Sequence, residues 1–283
     1  MKAKRISFIS IIVLAIVFVM ALTICLVLQH SNAYAYSGTG TEGDPYVVTT
    51  YSELKDLMAN APTNAVRYIK LGGNITSNDS NNDYSLTLTD ELQNVVLDLA
   101  GYTITRNPNV TVDFSVVRAK EGTLTINDSG SSGGIYAGES LYAPIGLIAD
   151  GIYNDSGTII INGGTYVANR ASGLSYGIYN QRGDVVITGG SYTGKYGIKI
   201  DAGSLNIYGG EFNGTEYEDI YITNGSTTNL YRLNSHDEIV CSSGNIWDYI
   251  PSKNVTVNGA KKTVTSTSSI TGTNIEIISN VLE

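Results

Sequence analysis

Histidine, cysteine and proline are scarce in this chain, and each scarcity excludes something. Of 283 residues, two are cysteine, two histidine and five proline. Cys25 lies in an N-terminal apolar run, which leaves Cys241 as the one thiol of the remaining chain and excludes an internal disulfide there. A lone cysteine becomes a nucleophile only beside a base, and Cys241 reads as a buried, inert thiol. His30 belongs to the same N-terminal segment, so His236 is the one imidazole left. That excludes histidine-rich zinc sites and makes any Ser/His/Asp or Cys/His centre depend on one residue. Its setting, Leu-Asn-Ser-His-Asp-Glu (233–238), reads as a surface turn. The shortage of proline excludes a Pro-rich, low-complexity chain.

Charge is also sparse, at 15% of residues, and it is unbalanced. The first 35 residues hold Lys2, Lys4 and Arg5 and no acid; removing these three from the 17 basic residues leaves 14 against 26 acidic ones, a net of −12. An acidic body is repelled by phosphate backbones, so nucleic acid is excluded as a partner. An anionic polymer is a poor ligand for the same reason, unless a metal ion or a local basic patch intervenes.

The three N-terminal cations precede an uncharged run from Ile6 to Leu28, followed by Ala33-Tyr34-Ala35. A basic start, an apolar stretch and an A-x-A site are the parts of a secretory signal. The 23-residue run would also cover about 34 Å as a helix, enough to span a bilayer. Two readings stand: a cleaved signal with the mature chain starting near Tyr36, or an uncleaved membrane anchor over residues 1–35. The bulky Ile24 before Cys25 counts against lipidation. Either way the body is expected outside the cytoplasm, secreted or anchored at the cell surface, with the membrane touched only through this segment.

What is abundant is glycine (31) and tyrosine (20), and their spacing organises the chain. Residues 176–195 read YGIYNQRGDVVITGGSYTGK and residues 196–215 read YGIKIDAGSLNIYGGEFNGT. Tyr176 falls on Tyr196, Gly183 on Gly203 and Gly189-Gly190 on Gly209-Gly210, a period of 20 residues without a gap. A fixed period of that size with strand-like alternation marks a solenoid in which each coil stacks on its neighbours. The frame extends backwards to Gly151, Gly157 and Gly163-Gly164 at an offset of 26, with six extra residues in 167–175, and to Gly122-Thr-Leu-Thr-Ile126 at an offset of 35. Residues 95–105 read as a degenerate first rung, with 68–76 before it.

Alternation assigns the faces. Leu97/Leu99, Leu124/Ile126, Ile159/Ile161, Val185/Ile187 and Leu205/Ile207 are expected to point inward, with Asp98, Thr125, Ile160, Val186 and Asn206 outward between them. After each Gly pair an aromatic follows, Tyr166, Tyr192 and Phe212, with Tyr102 expected as the first of that column. Ahead of the coils, residues 36–63 form a lead-in: a strand at Tyr46–Thr49, then Thr50 with Glu53 three residues later, a capping box opening a helix. Leu54, Leu57 and Met58 share one face of that helix, which is expected to cover the open end of the first coil.

The coil length, the Gly corners and the inward columns resemble the parallel β-helix of the pectin-lyase-like superfamily over residues 64–230. The stretch Gly40-Thr41 to Pro45-Tyr46 is similar to the lead-in of many secreted bacterial β-helix proteins. The resemblance implies an all-β, right-handed single-stranded parallel β-helix from a bacterial surface or secreted protein. It does not extend to catalysis, because the N-T-D, D-D, G-H-G, R-x-K and W-x-D-H stretches of the superfamily's enzymes do not occur here. Past Leu230 the frame decays; residues 231–283 read as last coils and a C-terminal cap, with 235–252 as an irregular excursion.

The coil frame places Asp155, Gln181 and Asp201 in one column. Two coils between the carboxylates correspond to about 9–10 Å, close to the separation used by inverting glycosidases, although Asp and Gln beside Gly corners are also ordinary turn residues. A second column holds Tyr153, Tyr179, Lys199 and Tyr221, with Asn154 and Asn180 alongside. As an exposed flat ladder these tyrosines would stack on sugar rings while the amides bind hydroxyls; as a bland alternative they are strand-favouring residues decorating a sheet. Asp79, Asn81, Asp83 and Asp90 have the spacing of a calcium loop, but Tyr84 stands where that loop needs Gly, so a polar connection is the competing reading. No other cofactor is implied. Three functions remain open: a surface or adhesion module that binds a glycan or a host or cell-surface polysaccharide, a polysaccharide lyase or hydrolase working through Asp155 and Asp201, and a passive spacer.

Overall fold

The chain divides into two units, Met1–Ala35 and Tyr36–Glu283. A computed structural model describes, within the second, residues 36–77, 85–106, 114–138, 148–168, 173–217, 219–222, 226–230, 239–241, 245–248, 253–257, 260–264 and 269–271. The signal or anchor segment therefore lies outside the described residues, as do Asp79, Asn81, Asp83 and His236. Among the described residues, no helix is long and apolar enough to cross a membrane.

The lead-in forms as its sequence predicts. Strand β1 (Tyr46–Val48) is followed by helix α1 (Tyr51–Ala59). Thr50 accepts from the Glu53 amide at 3.3 Å, and the Glu53 carboxylate accepts from the Thr49 and Thr50 amides at 2.9 and 3.0 Å. Those backbone donors hold the Glu53 carboxyl below its usual value. Tyr51, Leu54, Leu57 and Met58 are buried. The helix end is fastened to the coils by Arg67, which donates to the Leu57 carbonyl at 2.7 Å, and by buried Gln93, which donates to the Ala59 and Ala61 carbonyls.

The rest of the unit is a parallel β-helix with three sheets. Sheet I begins at β1 and runs through β2 (Val66–Leu71), β5 (Asn94–Asp98), β8 (Thr123–Asn127), β11 (Thr158–Ile161), β14 (Asp184–Ile187), β17 (Gly203–Ile207), β20 (Ser226–Leu230) and β23 (Lys253–Val257), ending on β24 (Ala260–Val264). Sheet II contains β3 (Ile75–Ser77), β6 (Thr103–Arg106), β9 (Gly134–Ala137), β12 (Thr165–Ala168), β15 (Ser191–Gly194), β18 (Gly210–Gly214) and β21 (Ile239–Cys241). Sheet III contains β4 (Leu86–Leu88), β7 (Phe114–Ala119), β10 (Ile148–Asn154), β13 (Leu174–Asn180), β16 (Tyr196–Ile200), β19 (Ile220–Ile222), β22 (Asn245–Asp248) and β25 (Ser269–Thr271). From β2 to β22, each consecutive triplet, such as β14, β15 and β16, is one turn of the solenoid. The stack continues past Leu230, because β20, β21 and β22 join the three sheets in parallel, whereas β24 pairs antiparallel with β23 and β25 antiparallel with β22.

Register confirms the repeat. Tyr176 pairs with Tyr196, Asp184 with Ser204 and Tyr192 with Phe212, each 20 residues apart. The offsets of 26 and 35 hold at Ile159–Val185 and Leu124–Ile159. The first rung departs from expectation by two residues. Val95, not Leu97, pairs with Leu124, and Leu97 pairs with Ile126, so Val96 rather than Asp98 joins the outward row through Thr125. A slip of two keeps every side chain on its face, and Leu99 is still buried, at the corner beyond the strand.

Each sheet sends one or two apolar columns inward. Sheet II supplies Ile75, Ile104, Ile135, Tyr166, Tyr192 and Phe212, paired in that order. Tyr102 is therefore not the head of the aromatic column; it sits at the corner before β6 and is 39% exposed. Tyr166, Tyr192 and Phe212 stack at 5.0 and 5.1 Å, nearly parallel. The hydroxyls of Tyr166 and Tyr192 turn back to donate to Gly163 and Gly189, both at 2.6 Å. That explains the repeated Gly-Gly-x-Tyr spacing: the second glycine turns the corner at positive φ (96° at Gly164, 105° at Gly190) and the first offers its carbonyl to the buried phenol. Burying a Leu, Ile or Val side chain contributes roughly 1.5–3 kcal/mol, so these inward columns outweigh the polar rows outside.

Candidate functional site: a cation–aromatic row on sheet III

The outer face of sheet III carries one in-register row. Thr87 pairs with Arg118, Arg118 with Tyr153, Tyr153 with Tyr179, Tyr179 with Lys199, and Lys199 with Tyr221. Trp247 follows in the next register position. The column expected from the sequence, Tyr153, Tyr179, Lys199 and Tyr221, is thus assembled, and Arg118 is the member it lacked. The signal for Arg118 was present: it lies 35 residues before Tyr153, the same offset that joins Leu124 to Ile159.

The row is not a flat ladder of exposed rings, which corrects that expectation. The rings of Tyr153 and Tyr179 meet edge to face, 5.2 Å apart at 79°. Tyr179 is only 8% exposed, covered by the Tyr176 ring at 5.1 Å and by Lys199, whose Nζ lies 4.7 Å from the Tyr179 centroid and 5.6 Å from that of Tyr176. Arg118 places its guanidinium 4.9 Å over Tyr153. Cations set against aromatic faces are attracted by the ring quadrupole, and the row packs against itself from strand to strand, across the sheet. A second stack flanks it, Tyr176 on Tyr196 at 5.3 Å and Tyr196 on Tyr217 at 4.7 Å, ending in the partly exposed Tyr217. Tyr196 also contacts Tyr221 at 5.3 Å.

The polar column beside it holds the row in place. Asp155 binds Arg118 Nη2 at 2.9 Å and lies 3.6 Å from Arg182. Gln181 accepts from the Tyr153 hydroxyl at 2.6 Å. Asp201 accepts from the Tyr179 hydroxyl and pairs with Lys199 at 3.1 Å. Burial and then the bond to Asp201 push the Tyr179 phenol well above its usual value. Asp155 and Asp201 are therefore the anchors of two separate ion pairs, with Gln181 on the coil between them.

Asn154 and Asn180 are fully buried, which removes them from the ligand-facing surface. They stand in register at the inner side of the corner. Asn154 Nδ2 donates to the Asp184 carbonyl at 3.1 Å, and Asn180 Nδ2 donates to the carbonyls of Gly183 and Ser204 at 2.8 and 3.2 Å. Strand alternation explains it: Asn154 and Asn180 have the parity of inward Ile152 and Ile178, and their amides bind backbone carbonyls at the corner.

Asp90 binds the amide of Leu92 at 2.9 Å, as a turn residue does. Among the described residues no cluster of three or more His, Cys, Asp or Glu side chains is arranged to hold a metal ion. The backbone of Cys241 pairs with Phe212, which puts it in the aromatic column's register. No protein-family model, curated protein or solved structure matches this chain.

Proposed function

We propose that this chain is an extracytoplasmic β-helix module of the cell surface that binds glycans along the outer face of sheet III, on a fold allied to the pectin-lyase-like superfamily. One observation carries the reading: the sheet III row and its flanking stack bring Tyr153, Tyr196, Tyr217 and Tyr221 to one face, beside Gln181 and Asp201. Aromatic faces take the apolar faces of sugar rings, and amides and carboxylates take hydroxyls. Tyr179, Lys199 and Arg118 serve this surface by fixing its rings. The aspartates serve as ion-pair anchors, which favours binding over hydrolysis.

A glycan array with the wild-type chain and with the Tyr153→Ala/Tyr221→Ala double variant tests this. Binding that the double variant loses supports the reading. No binding by the wild type, or undiminished binding by the variant, sinks it; depolymerisation of a bound polysaccharide that Asp201→Asn abolishes makes the protein an enzyme instead.

A further inference from the structure

At its N-terminal end the sheet III row opens into a pocket of about 230 Å³ between α1 and the first two coils. Its walls include Lys55 from α1, Thr87 and Thr89 from β4 and the residue after it, and Arg118 and Lys120 from β7 and the turn behind it. In a chain whose body carries a net charge of −12, this cavity is lined by three cations, Arg118 among them paired with Asp155, with the hydroxyl residues Ser85, Thr87 and Thr89 and no acidic side chain among the lining residues. The backbone under them is fixed. Thr87 Oγ1 donates to the Ser85 carbonyl at 3.0 Å, the Lys120 amide donates to Leu88 at 3.1 Å, and Ser156 donates to the Lys120 carbonyl. Arg118 gives Nη2 to Asp155, while its buried Nε meets no acceptor among the described residues.

We propose that this pocket binds an oxyanion — a sulfate, phosphate or carboxylate group carried on a sugar — and so selects acidic glycans over neutral ones. The inference rests on the glycan reading above. The cavity is smaller than the roughly 300–1,000 Å³ that encloses a whole drug-sized ligand, so it takes a substituent and leaves the rest of the chain outside. Guanidinium and ammonium groups are donors suited to an oxyanion, and charge-assisted hydrogen bonds are the strong ones. Arg118 joins the two surfaces: it lines the pocket and covers the ring of Tyr153, so a glycan seated by its acidic group has the row ahead of it. The local patch also answers the repulsion that an acidic body exerts on a polyanion.

Two measurements on the chain test this. Sodium sulfate and sodium phosphate are titrated while the amide resonances of Thr87, Thr89 and Lys120 are followed, in the wild type, in Lys120→Glu and in Lys55→Gln. In parallel, sulfated, phosphorylated, uronic-acid and neutral oligosaccharides are compared for binding, and the arm that binds tightest names the source of the oxyanion. The expected result is saturable amide shifts in the wild type and a preference for acidic sugars that falls roughly tenfold in Lys120→Glu relative to neutral ones. Equal binding of acidic and neutral sugars by the wild type, or a preference that survives both variants, overturns the proposal. Sulfate shifts that vanish in Lys120→Glu, with no glycan bound at all, would keep the oxyanion site and bring down the glycan reading.

Discussion

Arg118 lies in register with Tyr153 and uses its guanidinium twice: its carbon lies 4.9 Å over the ring, and Nη2 holds Asp155 at 2.9 Å. A lysine there keeps the charge but has one ammonium to serve both the ring and the carboxylate, where the guanidinium reaches both. Arg118→Lys is therefore expected to cost about 1 kcal/mol in urea unfolding. An unchanged midpoint would mean that the guanidinium adds nothing to the coil stack beyond its charge.

The inner aromatic column separates packing from hydrogen bonding at one residue. Tyr192→Phe removes the donor to Gly189 but keeps the ring between Tyr166 and Phe212, a loss of about 1 kcal/mol. Tyr192→Ala opens a cavity in the column and should cost about 3–5 kcal/mol. Equal effects in thermal and denaturant unfolding would contradict a stack held chiefly by ring packing.

Asn180 offers its Nδ2 to two carbonyls at a fully buried corner. Asn180→Asp keeps the shape but sets a carboxylate against the Gly183 and Ser204 oxygens, with the cost of a buried charge added. We expect Asn180→Asp to destabilise more than Asn180→Ala, which removes two buried hydrogen bonds at a cost of about 1–3 kcal/mol. The two variants compared at neutral pH by thermal unfolding decide it, and the reverse order would contradict the assigned donors.

Alkali should unfold the protein through its buried phenols. Burial raises Tyr166 and Tyr192 well above their usual value of 10.0, and burial together with Asp201 raises Tyr179. A phenol whose folded pKa is raised binds its proton more tightly in the folded state, so its contribution is complete below pH 10 and is lost as pH rises above it. Phenolate absorbance is expected to appear in two phases, exposed tyrosines first and these three only with loss of the β-sheet circular dichroism. A single phase with the fold intact would contradict the burial.

The fold was legible because the repeat is exact where it matters: Gly183 on Gly203, Gly190 on Gly210 and Tyr192 on Phe212 fix offset, corner and column together. It was less legible at the first rung. There Ala100-Gly101 replaces the Gly pair, and Ala100 itself takes positive φ, so the corner marker was missing and the frame slipped by two residues. Asn154 and Asn180 were misread because an amide looks like a surface group until the corner carbonyls beside it are known. The mutual burial of Tyr179, Tyr176 and Lys199 was hidden for another reason. Alternation says which side of the sheet a residue takes, not how outward side chains fold over one another. The basic pocket joins Lys55, Thr87 and Lys120 across a helix and two irregular coils, where no constant offset exists to show it.

The central claim is that ligand binds on sheet III, and hydrogen–deuterium exchange of the chain with and without its tightest array glycan tests it most directly. The account predicts added protection in β7, β10, β13, β16 and β19, spreading to the Thr87–Thr89 backbone when the glycan is acidic, with sheets I and II unchanged. Protection confined to sheet I or II, or none at saturating glycan, would contradict it.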